Sequence, residues 1–333
     1  MSLDCDPRVT IVINCRNGFN TLPATLASIE SQTYTNYSVL FIDNWSTDGS
    51  SSLLQRYDFD FLILKTPAPC TLGCARAFAL SQVTSPFAAL IDSDDVWFPD
   101  RLASHLQFLY SLPSMPAISY AGLNMVLSSS GRQLFSYFPT CTSSSFFHQT
   151  VTKPDINLST ILINIPLLRS AKLNFNPDIV IAEEIDLALR TSLYFDVTPF
   201  PRVLSNYYIN PNSLTHTKRK YSYADSRKTY FTLKRLLLQL PLQKSSLYPL
   251  RLYLNKLITY RCIYSDSASL KGKIYILLIL LRRRRLTIIN LVHFSISFFS
   301  FLFPRKATHY RLYLLSAYFT KFLSVLRKVR VHH

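Results

Sequence analysis

Phe87-Ala-Ala-Leu-Ile91 runs directly into Asp92-Ser-Asp-Asp95. A short unbroken apolar run with polar flanks reads as a buried strand, and three carboxylates within four residues stand at its carboxyl end. Pro99 then opens a helix that carries Leu102, Leu106 and Leu109 on one face. Toward the amino terminus the same unit recurs. Val9-Thr-Ile-Val-Ile13 is a β-branched strand, Asn14-Cys-Arg-Asn-Gly18 has turn chemistry, and Leu22, Leu26 and Ile29 follow at helical spacing. Tyr37-Ser-Val-Leu-Phe-Ile42 is a second strand ending in Asp43-Asn-Trp-Ser-Thr-Asp-Gly49. A helical stretch at 50–57, a third strand near 59–64 and a small-residue helix near 73–82 come next. Strands alternating with helices predict an α/β fold, a Rossmann-like and mostly parallel sheet flanked by helices. Such sheets bind ligands at the carboxyl ends of their strands. The polar clusters at 14–18, 43–48 and 92–95 are therefore expected to converge on one site.

Hydrophobic residues make up 48% of the 333 residues and charged ones 17%, which excludes a disordered or low-complexity chain. The net charge of +17 belongs to one end. Residues 1–217 carry 12 Lys and Arg against 17 Asp and Glu, net −5, whereas residues 218–333 carry 24 against 2, net +22. Two parts are predicted: a globular domain over 1–217 and a basic, apolar, helical extension over 218–333. The six cysteines form no C-x-x-C pair and have no histidine at metal spacing, so neither a zinc ribbon nor a disulfide scaffold is indicated. Reduced thiols in the cytosol are the default. The start Met-Ser-Leu-Asp-Cys-Asp-Pro has no apolar core of a secretory signal.

Asp92, Asp94 and Asp95 repel one another unless a cation or water intervenes. Oxygen ligands suit Mg²⁺ or Mn²⁺, which keep waters and share their coordination with a substrate diphosphate. Taken alone, the cluster reads first as a solvated acidic turn before a helix, with Asp100 favourable near that helix's positive end.

Four ordered stretches carry more. Val9-Thr-Ile-Val-Ile-Asn-Cys-Arg-Asn17, Leu26-Ala-Ser-Ile-Glu-Ser-Gln-Thr-Tyr34, Phe41-Ile-Asp-Asn-Trp-Ser-Thr-Asp-Gly49 and Leu90-Ile-Asp-Ser-Asp-Asp-Val-Trp-Phe-Pro-Asp-Arg-Leu102 together resemble the family 2 glycosyltransferases of the GT-A fold. Ala182-Glu-Glu-Ile-Asp-Leu-Ala-Leu-Arg190 is similar to that family's E-D-x-D-L-x-L-R segment, and Tyr207-Tyr-Ile-Asn-Pro-Asn-Ser-Leu-Thr215 to the stretch closing its catalytic domain. The resemblance covers roughly 8–215. It implies a GT-A catalytic domain over 1–217 that moves one sugar, with inversion, from a nucleotide-sugar donor to a glycan or lipid-linked acceptor, UDP-sugars being favoured.

The resemblance also implies residue roles. Asn14 and Arg16 line the nucleotide pocket with Asp43, Asn44, Arg76 and Asp92. Asp94 holds Mn²⁺ or Mg²⁺, with Asp92 fixing the metal or the ribose. Glu184 stands at the base position, Glu where the family usually has Asp; Asp186 is the nearest alternative, and Glu183 orients neighbours. Trp45 replaces the usual Gly. Other readings of these residues stay open: Asp43 and Asn44 as turn residues, Arg76 as a solvated charge, and Glu183, Glu184 and Asp186 as decoration of a helix N-terminus. Trp45 and Trp97 are the only tryptophans, so the Q-x-x-R-W element of processive synthases is absent and a distributive enzyme is expected. Asn210 stands where many relatives have His, and His216 on a basic loop is a poor substitute.

From 218 onward basic residues alternate with Leu, Ile, Tyr and Phe. Nucleic-acid binding is one explanation, but long aliphatic runs beside basic blocks fit an anionic membrane surface better. Residues 286–303 are 18 uncharged residues, close to the ~20 needed to span a bilayer. A polar stripe of Thr287, Asn290, His293, Ser297 and Ser300, and basic flanks on both sides, favour a helix lying on the surface. The expected location is peripheral, on the cytoplasmic face of a membrane. Two rival functions remain: a degenerate transferase fold kept as a binding or scaffold module, which Asn44 and Trp45 leave open, and a sugar nucleotidyltransferase, which would need a Gly-rich phosphate loop that Asn17-Gly18 hardly supplies.

Overall fold

The structure, a computed structural model, describes residues 6–209 except 141, 144–145, 153–154 and 181. The 217/218 boundary, the extension with its 286–303 segment, Asn210 and His216 lie outside the described residues.

The first half alternates as expected. Strand β1 (Val9–Cys15) leads to α1 (Leu22–Glu30), β2 (Tyr37–Asp43), a 3₁₀ helix (Ser50–Arg56), β3 (Phe61–Lys65), α2 (Leu72–Gln82) and β4 (Phe87–Asp92). β3, β2, β1 and β4 lie side by side in that order, all parallel. Side chains alternate between two apolar layers, as the two-residue period of a strand requires. Ile11, Ile13, Phe41, Ala89 and Ile91 point into one layer with Leu22 and Leu26 of α1; Val12, Leu40, Ile42, Ala88 and Leu90 point into the other with Ala79 and Leu80 of α2. That two-sided burial explains why these strands read as continuous apolar runs. The stretch at 50–57 is 3₁₀ rather than α-helical. Its opening Ser50-Ser-Ser52 hydroxyls bond locally, Ser50 to Asp48 and Ser52 Oγ to the Gly49 carbonyl at 2.8 Å, in competition with helical bonds.

Past β4 come β5 (Val96–Trp97), α3 (Arg101–Ser111), β6 (Ile118–Leu127), β7 (Gln133–Tyr137), α4 (Phe146–Thr152), β8 (Ile161–Asn164), α5 (Ile165–Ser170), α6 (Glu183–Thr191) and β9 (Val197–Ile209). Here the sheet becomes mixed. β8 pairs antiparallel with β4 and β6, β7 antiparallel with β6, β9 parallel with β6, and β5 antiparallel with β9. The strict strand-helix alternation has stopped, and β6 and β7 are joined by a tight turn with Gly131 at φ 65°. α3 buries Leu102, Leu106 and Leu109, the face its spacing predicts. Among the described residues no helix is long and apolar enough to cross a membrane.

Candidate active site

Parallel register brings the polar clusters together. Asn14 lies opposite Asp92 on β4 and Ile42 on β2, and Cys15 opposite Asp43. The loops beyond are stitched to one another: Asn44 N–H donates to the Cys15 carbonyl at 2.8 Å, Gly18 N–H to Ser50 Oγ at 2.9 Å, and Thr47 N–H to Asn17 Oδ1 at 2.8 Å. Both polar atoms of the Asn14 amide are buried without a hydrogen-bond partner. A buried amide left so is costly unless a ligand completes it. Arg16 is exposed on the same loop. Burial and then the neighbouring Cys74 thiol push Cys70 up to about 11, against the opposing charge of Arg16.

Asp43 is buried, with Oδ1 accepting from Ser46 N–H at 2.7 Å. Asn44 is committed within the protein: its Nδ2 donates to the Cys70 carbonyl at 3.0 Å, and its Oδ1 accepts from Cys70 N–H at 3.1 Å and Thr66 Oγ1 at 3.2 Å. It joins the loop after β2 to the loop after β3. Trp45 takes the left-handed conformation (φ 62°) natural to glycine, at a cost of about 1–2 kcal/mol. Two contacts hold it there, indole Nε1 donating to the Thr66 carbonyl at 3.0 Å and Lys65 Nζ standing 4.0 Å over the ring. The ring remains 40% exposed.

The acidic turn and α6 meet through one cation. Arg76 is 3% exposed and pairs with both Asp92 and Glu183, so it is no solvated charge. α2 delivers it: Thr71 caps the helix by accepting from Cys74 N–H at 3.1 Å, and Arg76 follows one turn later. α6 begins with Glu183, Glu184 and Asp186 in its first turn, where the helix dipole favours acids, and is entered through Ala182 at φ 62°. Asp94 and Glu184 have no ion pair among the described residues. Burial first, then the Asp92 charge, raises Asp94 to about 6, with Arg76 opposing. Glu184 is likewise raised by burial and by Asp92, and held back by Arg76. These shared influences place Asp92, Asp94, Arg76 and Glu184 in one electrostatic unit. Asp186 lies elsewhere in effect, fully buried and paired with Arg190, whose Nε donates to it at 2.8 Å and whose Nη2 donates to the Asn174 carbonyl at 2.8 Å.

Among the described residues no three His, Cys, Asp or Glu side chains form a group able to hold a metal. Asp92 and Asp94 nonetheless suit one that shares its coordination with a ligand. Their mutual repulsion is what a divalent cation relieves, oxygen donors match Mn²⁺ or Mg²⁺, and Asp94, free of any ion pair, is the better placed since Asp92 is partly engaged by Arg76.

Comparison with known proteins agrees with this architecture. Residues 10–140 match the model of glycosyl transferase family 2. They form a family 2 glycosyltransferase domain. Over 105 residues the chain is 29% identical to UDP-Glc:alpha-D-GlcNAc-diphosphoundecaprenol beta-1,3-glucosyltransferase WfgD of Escherichia coli, covering 31% of this chain and 42% of that one. The chain spans less than half the length of the curated relatives it matches. Residues 1–349 of S. aureus TarS in complex with UDP-GlcNAc superpose with a TM-score of 0.63 at 15% identity, covering 88% of this chain and 91% of that fragment. Mannosyltransferase PcManGT of Pyrobaculum calidifontis, in complex with GDP-Man and Mn²⁺, superposes at 0.57 and 16% identity, covering 88% and 85%. At that identity the two structures speak for the GT-A fold.

The acidic turn is also held by partners beyond the matched stretch, Ser159 and Tyr208. Asp95 is fully buried, accepting from Ser159 Oγ and from Tyr208 N–H at 3.2 Å. Ser159 Oγ in turn accepts from Asp92 N–H at 3.0 Å, and its carbonyl accepts from Trp97 Nε1 at 2.7 Å. Burial pushes Asp95 well above the ordinary carboxylate range, and the nearby Asp94 and Asp92 charges add to it. The third acid of the cluster thus ties the acidic turn to β9. No local pattern announces Ser159, which lies 67 residues from Asp92.

Proposed function

We propose that the protein is an inverting, divalent-cation-dependent and distributive glycosyltransferase that moves one sugar from a UDP-sugar to a glycan or lipid-linked acceptor. The observation that carries the reading is the electrostatic unit around Arg76: a cation binds Asp92 and Glu183, while Asp94 and Glu184 beside it stay unpaired and more basic than ordinary carboxylates.

In this reading the donor nucleotide lies at the carboxyl ends of β1, β2 and β4, against Asn14, Arg16, Asp43, Arg76 and Asp92, while Asn44, expected to touch it, instead braces the loops after β2 and β3. The unpartnered Asn14 amide offers it a donor and an acceptor. Asp94, with Asp92, would hold Mn²⁺ or Mg²⁺, which when bound supplies positive charge for the departing diphosphate. Glu184 takes the proton from the attacking hydroxyl. Burial raises its basicity, and the Arg76 charge opposes that rise. Asp186, committed to Arg190, is the weaker candidate. Attack opposite the leaving diphosphate inverts the anomeric centre.

A lipid-linked acceptor is supported by the diphosphoundecaprenol-linked acceptor for which WfgD is named and by the 24 basic residues among aliphatic runs in 218–333. Those residues are read as holding the enzyme on the cytoplasmic face of a membrane. The test is a panel of UDP- and GDP-sugars with Mn²⁺, scored for nucleotide release. Release from one UDP-sugar well above the others supports the reading; no release and no UDP binding favours the scaffold alternative.

A further inference from the structure

The amino-terminal half of α2 is docked on the chain that leads into α6. Thr71 Oγ1 donates to the Pro177 carbonyl at 2.6 Å, Gly73 N–H to the Ile179 carbonyl at 3.1 Å, and Asn174 Nδ2 to the Ala77 carbonyl at 3.0 Å. Arg76 completes the row by pairing with Glu183. At Gly73 the two main chains touch. A Cβ there would stand 2.4 Å from the carbonyl oxygens of both Asn176 and Ile179. Neither is the end of a flexible side chain, so any residue but glycine must push the backbones apart.

We propose that Gly73 is a positioning residue. By letting α2 close on 176–179, it holds Glu183, and therefore Glu184, against Arg76 and Asp92. It thereby sets the separation between the donor-side acids on β4 and the acceptor-side carboxylate on α6. This rests on the transferase reading above. The donor-side groups Asn14 and Asp92 are placed by strand pairing between β1 and β4, which the contact does not touch. α6, by contrast, is entered through Ala182, which already occupies a left-handed conformation with no side-chain cap.

The test is Gly73→Ala in the full chain, with three measurements: UDP affinity by calorimetry, kcat and KM for the UDP-sugar that the wild type hydrolyses fastest, and hydrogen exchange over 72–82 and 174–191. Expected are faster exchange at Gly73's neighbours and in the first turn of α6, UDP affinity and donor KM within about threefold of wild type, and a kcat lower by about 10²-fold, the scale of a small misplacement of a reacting group. Unchanged exchange overturns the proposal. So does lost UDP affinity with kcat intact, which would make the contact a donor-binding device. If Gly73→Ala does not fold, Glu183→Gln loosens the same contact without a clash, and the same kcat-against-KM split is expected. A wild type that turns over no UDP-sugar sinks the transferase reading and the positioning role with it, whereas an active wild type with an indifferent Gly73→Ala sinks this proposal alone.

Discussion

Arg76 on α2 is ion-paired to Glu183, the first residue of α6, with both side chains almost fully buried. The pair joins the helix that flanks the acidic turn to the helix that carries Glu184. Because Arg76 also pairs with Asp92, its removal strands two acids at once. Arg76→Met is expected to cost about 3–5 kcal/mol, the scale of a broken buried ion pair, and to weaken UDP binding. Chemical denaturation and calorimetry check both, and Arg76→Lys should recover only part because one ammonium does not span two carboxylates as a guanidinium does.

Glu184 and Asp186 sit two residues apart with different surroundings, so their isosteric variants should fail differently. Glu184→Gln should keep UDP affinity while lowering transfer by about 10²- to 10⁴-fold, as loss of a general base does. Asp186→Asn should act mainly on stability, since it leaves Arg190 without its charge partner. Transfer lost in Asp186→Asn with its stability intact would move the base to Asp186.

His105 is buried between Arg101, whose guanidinium lies 3.2 Å from Nδ1, and Ser119, whose hydroxyl lies 2.8 Å from Nε2. Burial and then the Arg101 charge hold it well below its ordinary value. Below about pH 6.5 the unfolded chain takes up a proton that the folded chain refuses, so this group removes stability as pH falls, by about 1.4 kcal/mol per pH unit. Asp94, raised to about 6, acts in the opposite sense, gaining stability as pH falls. The comparison of wild type with His105→Gln isolates the histidine: in urea unfolding their difference should change between pH 7.5 and 5.5, the variant losing less. Parallel curves would show that His105 is free to protonate in the fold.

Trp97 is 2% exposed in the core, whereas Trp45 is 40% exposed beside Asn44 at the strand ends. UDP binding should therefore change the emission of Trp45. The change should persist in Trp97→Phe and disappear in Trp45→Phe; a signal that follows Trp97 would place the nucleotide elsewhere.

Much of this site was legible in local sequence. Apolar runs gave β1, β2 and β4, and parallel pairing then required Asn14, Asp43 and Asp92 to share one edge. What local sequence does not carry is the state of each side chain. Asn44 stands where a nucleotide contact was expected, yet its amide is spent on Thr66 and Cys70, a loop more than 20 residues on whose approach depends on β3. Arg76 reads equally as a surface charge on a small-residue helix until Glu183, over 100 residues away, is folded against it. The mixed half of the sheet escaped for a related reason, because short antiparallel strands such as Val96–Trp97 are set by partners distant in sequence. The structural burial of Asp95 had no signal apart from the cluster that contains it.

In the proposed reaction Asp94 and its neighbours bind a divalent cation that the donor chemistry needs. The direct measurement is the rate of UDP release from the preferred UDP-sugar in Mn²⁺ and in excess chelator, for wild type and Asp94→Ala. Chelation and the substitution should each remove nearly all turnover, and restored Mn²⁺ should rescue only the wild type. Full turnover in excess chelator, or an Asp94→Ala enzyme as fast as wild type, would contradict it.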